Sequence, residues 1–93
     1  MDKIREISEV LAFTDDPQVI ENFLKSILTK YEIKEISSRW ELVKLLRSGL
    51  SQRKISEKLG VSLCKITRGS RELKKDKSVF KAMIDRYMQT VKE

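Results

Sequence analysis

The stretch SQRKISEKLGVSLCKITRGSRELKK, residues 51–75, decides the fold of this 93-residue chain. Ser51 is suited to cap a short helix in which Ile55 and Leu59 lie four residues apart on one face. Gly60 then stands where helices commonly end in a left-handed residue, because glycine has no Cβ to clash there. The stretch therefore begins with a short helix that stops at Gly60.

A second helix is predicted directly after this stop. Val61 is apolar and is expected to fill the corner between the two helices. Ser62 can cap the second helix, in which Ile66 and Leu73 lie seven residues apart and face inward together with Ser70. This arrangement indicates a helix-turn-helix at about residues 51–73.

Two further features separate this pattern from an ordinary helical hairpin, which remains the alternative. Ser56 is small where a bulky side chain would keep the two helices apart. From Arg47 to Lys75 there are nine basic and two acidic residues, a net charge of +7, whereas the whole chain carries +6. A hairpin needs no basic outer face, so the charge favours a polyanionic partner.

The residues expected to touch DNA follow from the way such a motif docks. The second helix enters the major groove with its N-terminal residues nearest the bases, where Leu63 and Cys64 suit thymine methyls and Lys65 and Thr67 suit base edges or phosphates. The other predicted contact residues bind the phosphate backbone of DNA. These contacts set the register of the protein on the duplex and the salt dependence of binding. The predicted DNA-binding residues are Gln52, Arg53, Lys54, Leu63, Cys64, Lys65, Thr67, Ser70, Arg71 and Lys74.

Outside the motif, apolar residues at helical spacing predict four more helices. The first covers about residues 2–12; the second is capped by Asp15 or Asp16, with Pro17 in its first turn; the third closes near residues 47–49. Neither glycine nor proline marks the boundary near residues 29–31. The last helix starts at about Ser78, and its apolar residues are Val79, Met83, Ile84, Tyr87 and Val91.

Together these patterns predict an all-α fold of about six helices in a single domain, residues 1–93. Charged residues make up 37% of the chain and hydrophobic ones 40%, which leaves a thin core for a lone globule of this size. A homodimer is therefore expected, with dimerisation helices at about residues 2–48 and 78–91.

Composition also narrows the possible chemistry. The chain has no histidine and one cysteine, Cys64, so the commonest general base, a structural zinc site and an intrachain disulfide are not available. No apolar run approaches the roughly 18 residues that a membrane span needs. We expect no catalytic site, metal or cofactor, no membrane partner and a cytoplasmic location.

The run ITRGS, residues 66–70, resembles the bacterial tryptophan repressor family, and the likeness covers about half of the chain. The resemblance implies an interlaced helical homodimer whose two DNA-reading heads are held at the spacing of successive major grooves by bound L-tryptophan. The matching segments are LT at 28–29, SR at 38–39, SQRKISEKLG at 51–60 and ITRGSRELK at 66–74.

The resemblance also implies a set of ligand-binding positions. Arg39 and Arg68 match the two arginines that lie on either side of the indole, and a planar guanidinium suits stacking on an aromatic face. Gly69 would let the ligand approach the backbone. The partner subunit would contribute carbonyls near Ser26 and Leu28 and the side chain of Thr29.

Two departures from the family pattern leave alternatives open. Glu72 stands where the family usually has a serine, and it would either hold the ligand's ammonium group or pair with Arg68. Between Arg39 and Ser51 the chain is one residue shorter than tryptophan-responsive members, a spacing that matches a sister branch of related DNA-binding proteins. One residue rotates a helix by about 100°, so Ser38 and Trp40 are alternatives to Arg39.

The sequence therefore predicts a homodimeric transcriptional repressor that binds operator DNA with L-tryptophan as corepressor. The first alternative is a regulator of the same fold that does not respond to tryptophan. The second is a helical interaction module whose basic face binds an acidic protein.

Overall fold

The computed structural model of the chain describes residues 2–92, and the side chains of residues 2–90. Across these residues it contains helices and turns but no strand, which confirms the predicted all-α class. The helices are α1 (Lys3–Ala12), α2 (Pro17–Ile27), α3 (Lys30–Arg47), α4 (Gln52–Leu59), α5 (Leu63–Lys74) and α6 (Val79–Lys92).

The chain divides into two compact units, residues 1–35 and 36–93, and the first holds α1 and α2. Asp2 caps α1 by accepting a hydrogen bond from the Ile4 amide at 3.0 Å, and Asp16 caps α2 through the Gln18 amide at 2.9 Å. Neither helix has a buried residue. Val10, for example, is 65% exposed, so the apolar faces of this unit are largely open.

A reciprocal pair of hydrogen bonds starts α3. The Thr29 amide donates to Glu32 Oε1 at 2.8 Å, and the Glu32 amide donates to Thr29 Oγ1 at 3.1 Å. This capping box satisfies two amides that a helix start would otherwise leave without partners. The boundary between α2 and α3 therefore has a local polar signal, Thr-x-x-Glu, although it contains neither glycine nor proline.

The second unit has its core where α3, α4, α5 and α6 meet. Nine partly buried apolar side chains surround it, and among the described residues no charged or polar residue is buried. The fully buried residues are Leu42, Val43, Ile55, Ile66 and Ile84. Two of these belong to the stretch that predicts the helix-turn-helix, so the motif is anchored in this core.

The apolar residues of α6 divide between the core and solvent. Ile84 is buried and Phe80 and Met88 pack on the core, whereas Val79 is 75% exposed. Phe80, Ile84 and Met88 are spaced by four residues, so they form one stripe along the helix. Which stripe is buried depends on the helices packed against α6, and the side chain of Val91 lies outside the described residues.

Two contacts fix α6 against α3. The Trp40 ring stacks on Phe80 at 6.1 Å between centroids and meets Tyr87 edge-on at 5.9 Å. Arg47 holds both carboxylate oxygens of Asp85, at 2.9 and 3.4 Å. The aromatic and bidentate contacts together orient α6 along α3.

Lys44 adds a charged contact beside this aromatic cluster. Its Nζ lies 5.3 Å from the centroid of the Tyr87 ring and 3.0 Å from a carboxylate oxygen of Glu41. The hydrogen bond to Glu41 raises the pKa of Lys44, so this amine stays positively charged throughout the neutral pH range.

Candidate nucleic-acid interface

A three-residue turn joins α4 to α5. Gly60 adopts the left-handed conformation, φ 67° and ψ 26°, and its amide donates to the Ser56 carbonyl at 2.9 Å. The Ser56 hydroxyl in turn donates to the Val61 carbonyl, also at 2.9 Å. The predicted stop at Gly60 is therefore confirmed, and Ser56 both leaves space and fastens the turn.

We expect Gly60→Ala to lower the free energy of unfolding by about 1–2 kcal/mol, because a Cβ is disfavoured at this positive φ. No atom lies within 4 Å of the added Cβ, so the loss comes from backbone conformation alone. Gly60→Asn is the matched control, since asparagine tolerates the left-handed region. Equal losses of stability in urea unfolding of both variants would contradict this account.

Serine caps start each of the two helices, and buried isoleucines hold the helices together. Ser51 Oγ accepts from the Lys54 amide at 3.2 Å, and Ser62 Oγ accepts from the Lys65 amide at 3.3 Å, as predicted. Ile55 of α4 and Ile66 of α5 are both 0% exposed. The helix-turn-helix at about residues 51–73 is thus a packed motif rather than two independent helices.

The outer surfaces of α4 and α5 carry seven exposed cations. One of them, Arg53, is 91% exposed in its side chain and approaches Glu57 only at 3.7 Å, a distance at which a surface pair contributes little. The cations are Arg53, Lys54, Lys58, Lys65, Arg68, Arg71 and Lys74. Two helices packed on a neutral core therefore present a strongly basic surface to solvent.

The start of α5 places three of the predicted base-reading residues in solvent. Leu63 is 56% exposed, and Cys64 and Lys65 are also exposed. Thr67 is half-buried, and its hydroxyl donates to Gln52 Oε1 at 3.4 Å, a bond that ties α5 to α4. Ser70 is half-buried too. The structure thus exposes the first turn of α5, whereas Thr67 and Ser70 lie nearer the core.

This motif can be compared with known proteins. The family model for the Trp repressor protein matches residues 2–88, which is nearly the whole chain. The chain belongs to the Trp repressor family. Its members are non-enzymatic regulators, so the prediction that this protein is not an enzyme is confirmed.

Curated relatives agree with this assignment. A Trp operon repressor homolog of Vibrio parahaemolyticus is 34% identical over 95% of this chain and 90% of its own length. A homolog of the same name from Vibrio campbellii is 36% identical over 91% of this chain and 90% of its own length. Another, from Chlamydia trachomatis, is 38% identical over 71% of this chain and 76% of its own length. No solved structure matches the chain significantly.

The Trp repressor family makes this chain a repressor-type DNA-binding regulator. The helix-turn-helix and its basic surface are the parts of the structure that suit this role. Among the described residues, no helix has the length and apolar character that crossing a membrane requires. In the same part of the chain, no group of histidine, cysteine and acidic side chains is placed to hold a metal ion.

Of the ligand positions expected from the resemblance, Arg39 and Arg68 are both exposed. Within the described residues, neither guanidinium forms an ion pair or a hydrogen bond. Trp40 is stacked on Phe80 and is therefore already engaged with α6. Among the alternatives that the short third helix leaves open, Arg39 is the exposed one, since Ser38 is half-buried.

Gly69 is buried against α3. A Cβ added there would lie 2.6 Å from Leu42 Cδ1 and 3.2 Å from Val43 Cγ2. Close packing of α5 on α3 therefore requires a glycine at this position with no ligand present. The resemblance to the family implies a different reason for this glycine, the approach of a ligand to the backbone.

Glu72 has a partner other than the one considered from sequence. Its carboxylate lies 2.9 Å from Lys75 Nζ. A pairing with Arg68 is therefore wrong in this structure, and Arg68 keeps its guanidinium open to solvent. The half-buried Glu72 remains a candidate for the ligand's ammonium group.

The remaining positions expected to bind the ligand lie in the first unit, around the end of α2. The Ser26 hydroxyl donates to the Phe23 carbonyl at 2.9 Å, and Leu28 is the half-buried C-cap of α2. Thr29 Oγ1 accepts a hydrogen bond from the Glu32 amide, which leaves the hydroxyl proton free to donate. Thr29 thus has both a structural role and a remaining hydrogen-bond donor.

Proposed function

We propose that this protein is a homodimeric transcriptional repressor that binds operator DNA through α4 and α5 and takes L-tryptophan as its corepressor. The observation that carries the proposal is the capped helix-turn-helix with seven exposed cations on its outer surface. A repressor of this kind acts where the chromosome lies, so the proposal includes a cytoplasmic location.

DNA binding divides between two groups of residues. The exposed Leu63, Cys64 and Lys65 in the first turn of α5 contact base edges in the major groove. Arg53, Lys54 and the other basic residues of the predicted set contact phosphates, which sets affinity and register rather than sequence choice. The hydrogen bond between Gln52 and Thr67 holds α4 and α5 in register. We place these two residues next to the phosphate backbone of DNA.

L-tryptophan is supported by the state of the two arginines. An exposed guanidinium without an ion pair can stack on an indole ring and bind a carboxylate at the same time. Arg39 and Arg68 are the pair that we propose for this role. Glu72 then attracts the ammonium group of the ligand, a stronger partner for it than a serine hydroxyl.

Homodimerisation is supported by the apolar surface of the first unit. Ile4 is 68% exposed and Val10 is 65% exposed, and Phe13 is 90% exposed. Monomeric proteins rarely leave several large apolar side chains of one short segment in water. A second copy of the chain covers them, and its Ser26, Leu28 and Thr29 complete the ligand site.

Tryptophan regulates DNA binding by a population shift. The ligand favours the DNA-binding arrangement of the two heads only if it binds that arrangement more tightly than the others. Linkage then requires that operator DNA raise the affinity for tryptophan by the same factor. Calorimetric titration of L-tryptophan with and without operator DNA measures both sides of this coupling.

We expect Arg68→Ala to weaken L-tryptophan binding by at least about tenfold while the helical dimer remains intact. Stacking and a charge-assisted hydrogen bond contribute roughly 1–3 kcal/mol, and each 1.4 kcal/mol is about a factor of ten. Lys58→Ala is the control, because it removes an exposed cation of α4 that has no assigned role. Isothermal titration calorimetry measures the affinity of each variant.

Unchanged tryptophan affinity in Arg68→Ala would remove this residue from the site. No heat from wild-type protein at millimolar L-tryptophan, together with salt-dependent DNA binding, would instead identify a regulator of the same fold that ignores tryptophan. Absence of DNA binding by the wild-type protein would refute the proposal as a whole.

A further inference from the structure

The turn between α5 and α6 carries a basic surface that the helix-turn-helix does not account for. Four lysines and two aspartates line one open concavity there, together with Leu73, Ser78 and Ala82. One of the aspartates, Asp85, is held by Arg47 at 2.9 Å. The charged lining residues are Lys74, Lys75, Lys77, Lys81, Asp76 and Asp85.

The positive charge of this concavity is available to a partner. Lys74, Lys77 and Lys81 are exposed and form no ion pair among the described residues. Lys75 pairs with Glu72, so it contributes less. Because Arg47 compensates Asp85, Asp76 is the one acidic group in the lining that has no such compensation. The excess of cations favours an anion in this concavity.

The length of α5 brings this surface within reach of the DNA backbone. A helix of 12 residues is about 18 Å long, whereas the major groove is about 12 Å wide. When α5 points into the groove with its N-terminal turn on the bases and its axis across the groove, its C-terminal end therefore passes beyond the edge of the groove. The groove is bounded there by phosphates.

We propose that Lys77 and Lys81, at the turn between α5 and α6, bind backbone phosphates of the duplex at the edge of the groove that α5 reads. This inference rests on the proposed DNA binding and extends the interface beyond Lys74. The contacts add affinity and salt dependence but no sequence preference, because phosphates are the same at every base pair.

The test is the double variant Lys77→Asn/Lys81→Gln, with asparagine chosen because Lys77 has a left-handed backbone at φ 54°. Fluorescence anisotropy gives the dissociation constant for a labelled duplex at several salt concentrations. We expect the magnitude of the slope of log K against log salt to fall by about 1.8 for each DNA-bound subunit, close to 0.9 for each lost phosphate contact. The ranking of different duplex sequences should not change.

The control variant is Lys3→Gln/Lys34→Gln, which removes the same net charge from exposed positions of the first unit. Its salt slope should match that of the wild type. The single variant Lys81→Gln leaves the backbone at Lys77 untouched and should lower the magnitude of the slope by about 0.9 for each DNA-bound subunit.

The outcomes separate this inference from the proposed function. A wild-type slope retained in both Lys77→Asn/Lys81→Gln and Lys81→Gln overturns the phosphate contact, while the DNA-binding function stands. An equal decrease in the control variant also overturns it, because the effect would then come from net charge alone. Absence of salt-dependent duplex binding by the wild type would instead refute the proposed function.

Discussion

Arg53→Glu/Lys54→Glu is expected to weaken binding to duplex DNA by at least about 100-fold at roughly 0.1 M salt. The double substitution removes two phosphate contacts and places two carboxylates against the same phosphates. Arg53 is 91% exposed in its side chain, so the change acts on the surface and not on the core. Acidic residues are also favourable in the first turn of a helix, so α4 itself should remain folded.

Lys3→Glu/Lys34→Glu provides the matched comparison, since it changes the net charge by the same amount in the first unit. We expect this variant to lose less than about tenfold in affinity, through the long-range field of the protein alone. Circular dichroism checks that both variants keep their helical content. Similar losses of affinity in the two variants would mean that the basic surface of α4 has no special place in DNA binding.

Gly69→Ala is expected to lower the free energy of unfolding by about 1–3 kcal/mol in the absence of any ligand. The added Cβ would lie 2.6 Å from Leu42 Cδ1, so α5 must move away from α3 or Leu42 must leave its rotamer. The better helix propensity of alanine offsets up to about 1 kcal/mol of this loss. Urea unfolding of the ligand-free protein gives the value.

A double-mutant cycle identifies the atom that is responsible. Leu42→Ala removes Cδ1, so Gly69→Ala made in that background should be close to neutral or stabilising. Additive losses in the two variants would contradict Leu42 as the source of the clash. A ligand-free protein of unchanged stability in Gly69→Ala would return this glycine to the role that the sequence first suggested, access of a ligand to the backbone.

The helix-turn-helix could be predicted because its signals are local. Ser51, Gly60 and Ser62 act through hydrogen bonds or backbone angles within a few residues, so their residue types alone define the motif. The start of α3 has an equally local signal in Thr29 and Glu32. The Thr-x-x-Glu pattern of a capping box is therefore sufficient to predict where α3 begins.

Other features depend on long-range packing and could not be read from spacing. Phe80 and Met88, rather than Val79 and Met83, face the core, because two adjacent stripes of α6 are both apolar and only packing against the neighbouring helices selects one. The steric need for Gly69 likewise comes from Leu42, 27 positions earlier in the chain. Neither contact leaves a pattern within its own helix.

The proposed ligand site could be predicted only in part from the sequence. The resemblance to the Trp repressor family supplied Arg39 and Arg68, and the structure leaves both side chains exposed. Sequence alone left Ser38 and Trp40 as alternatives to Arg39. The stacking of Trp40 on Phe80 now argues against Trp40 as the residue that faces a ligand.

The most direct test of the central claim is the salt dependence with which wild-type protein binds duplex DNA. The basic surface of α4 and α5 is proposed to contact several phosphates. Log K should therefore fall linearly with log salt, and the affinity for DNA should drop by at least about 100-fold between 50 and 200 mM salt. Fluorescence anisotropy on one labelled duplex is sufficient for this measurement. Duplex binding that is absent, or that does not change over this range, would contradict the account.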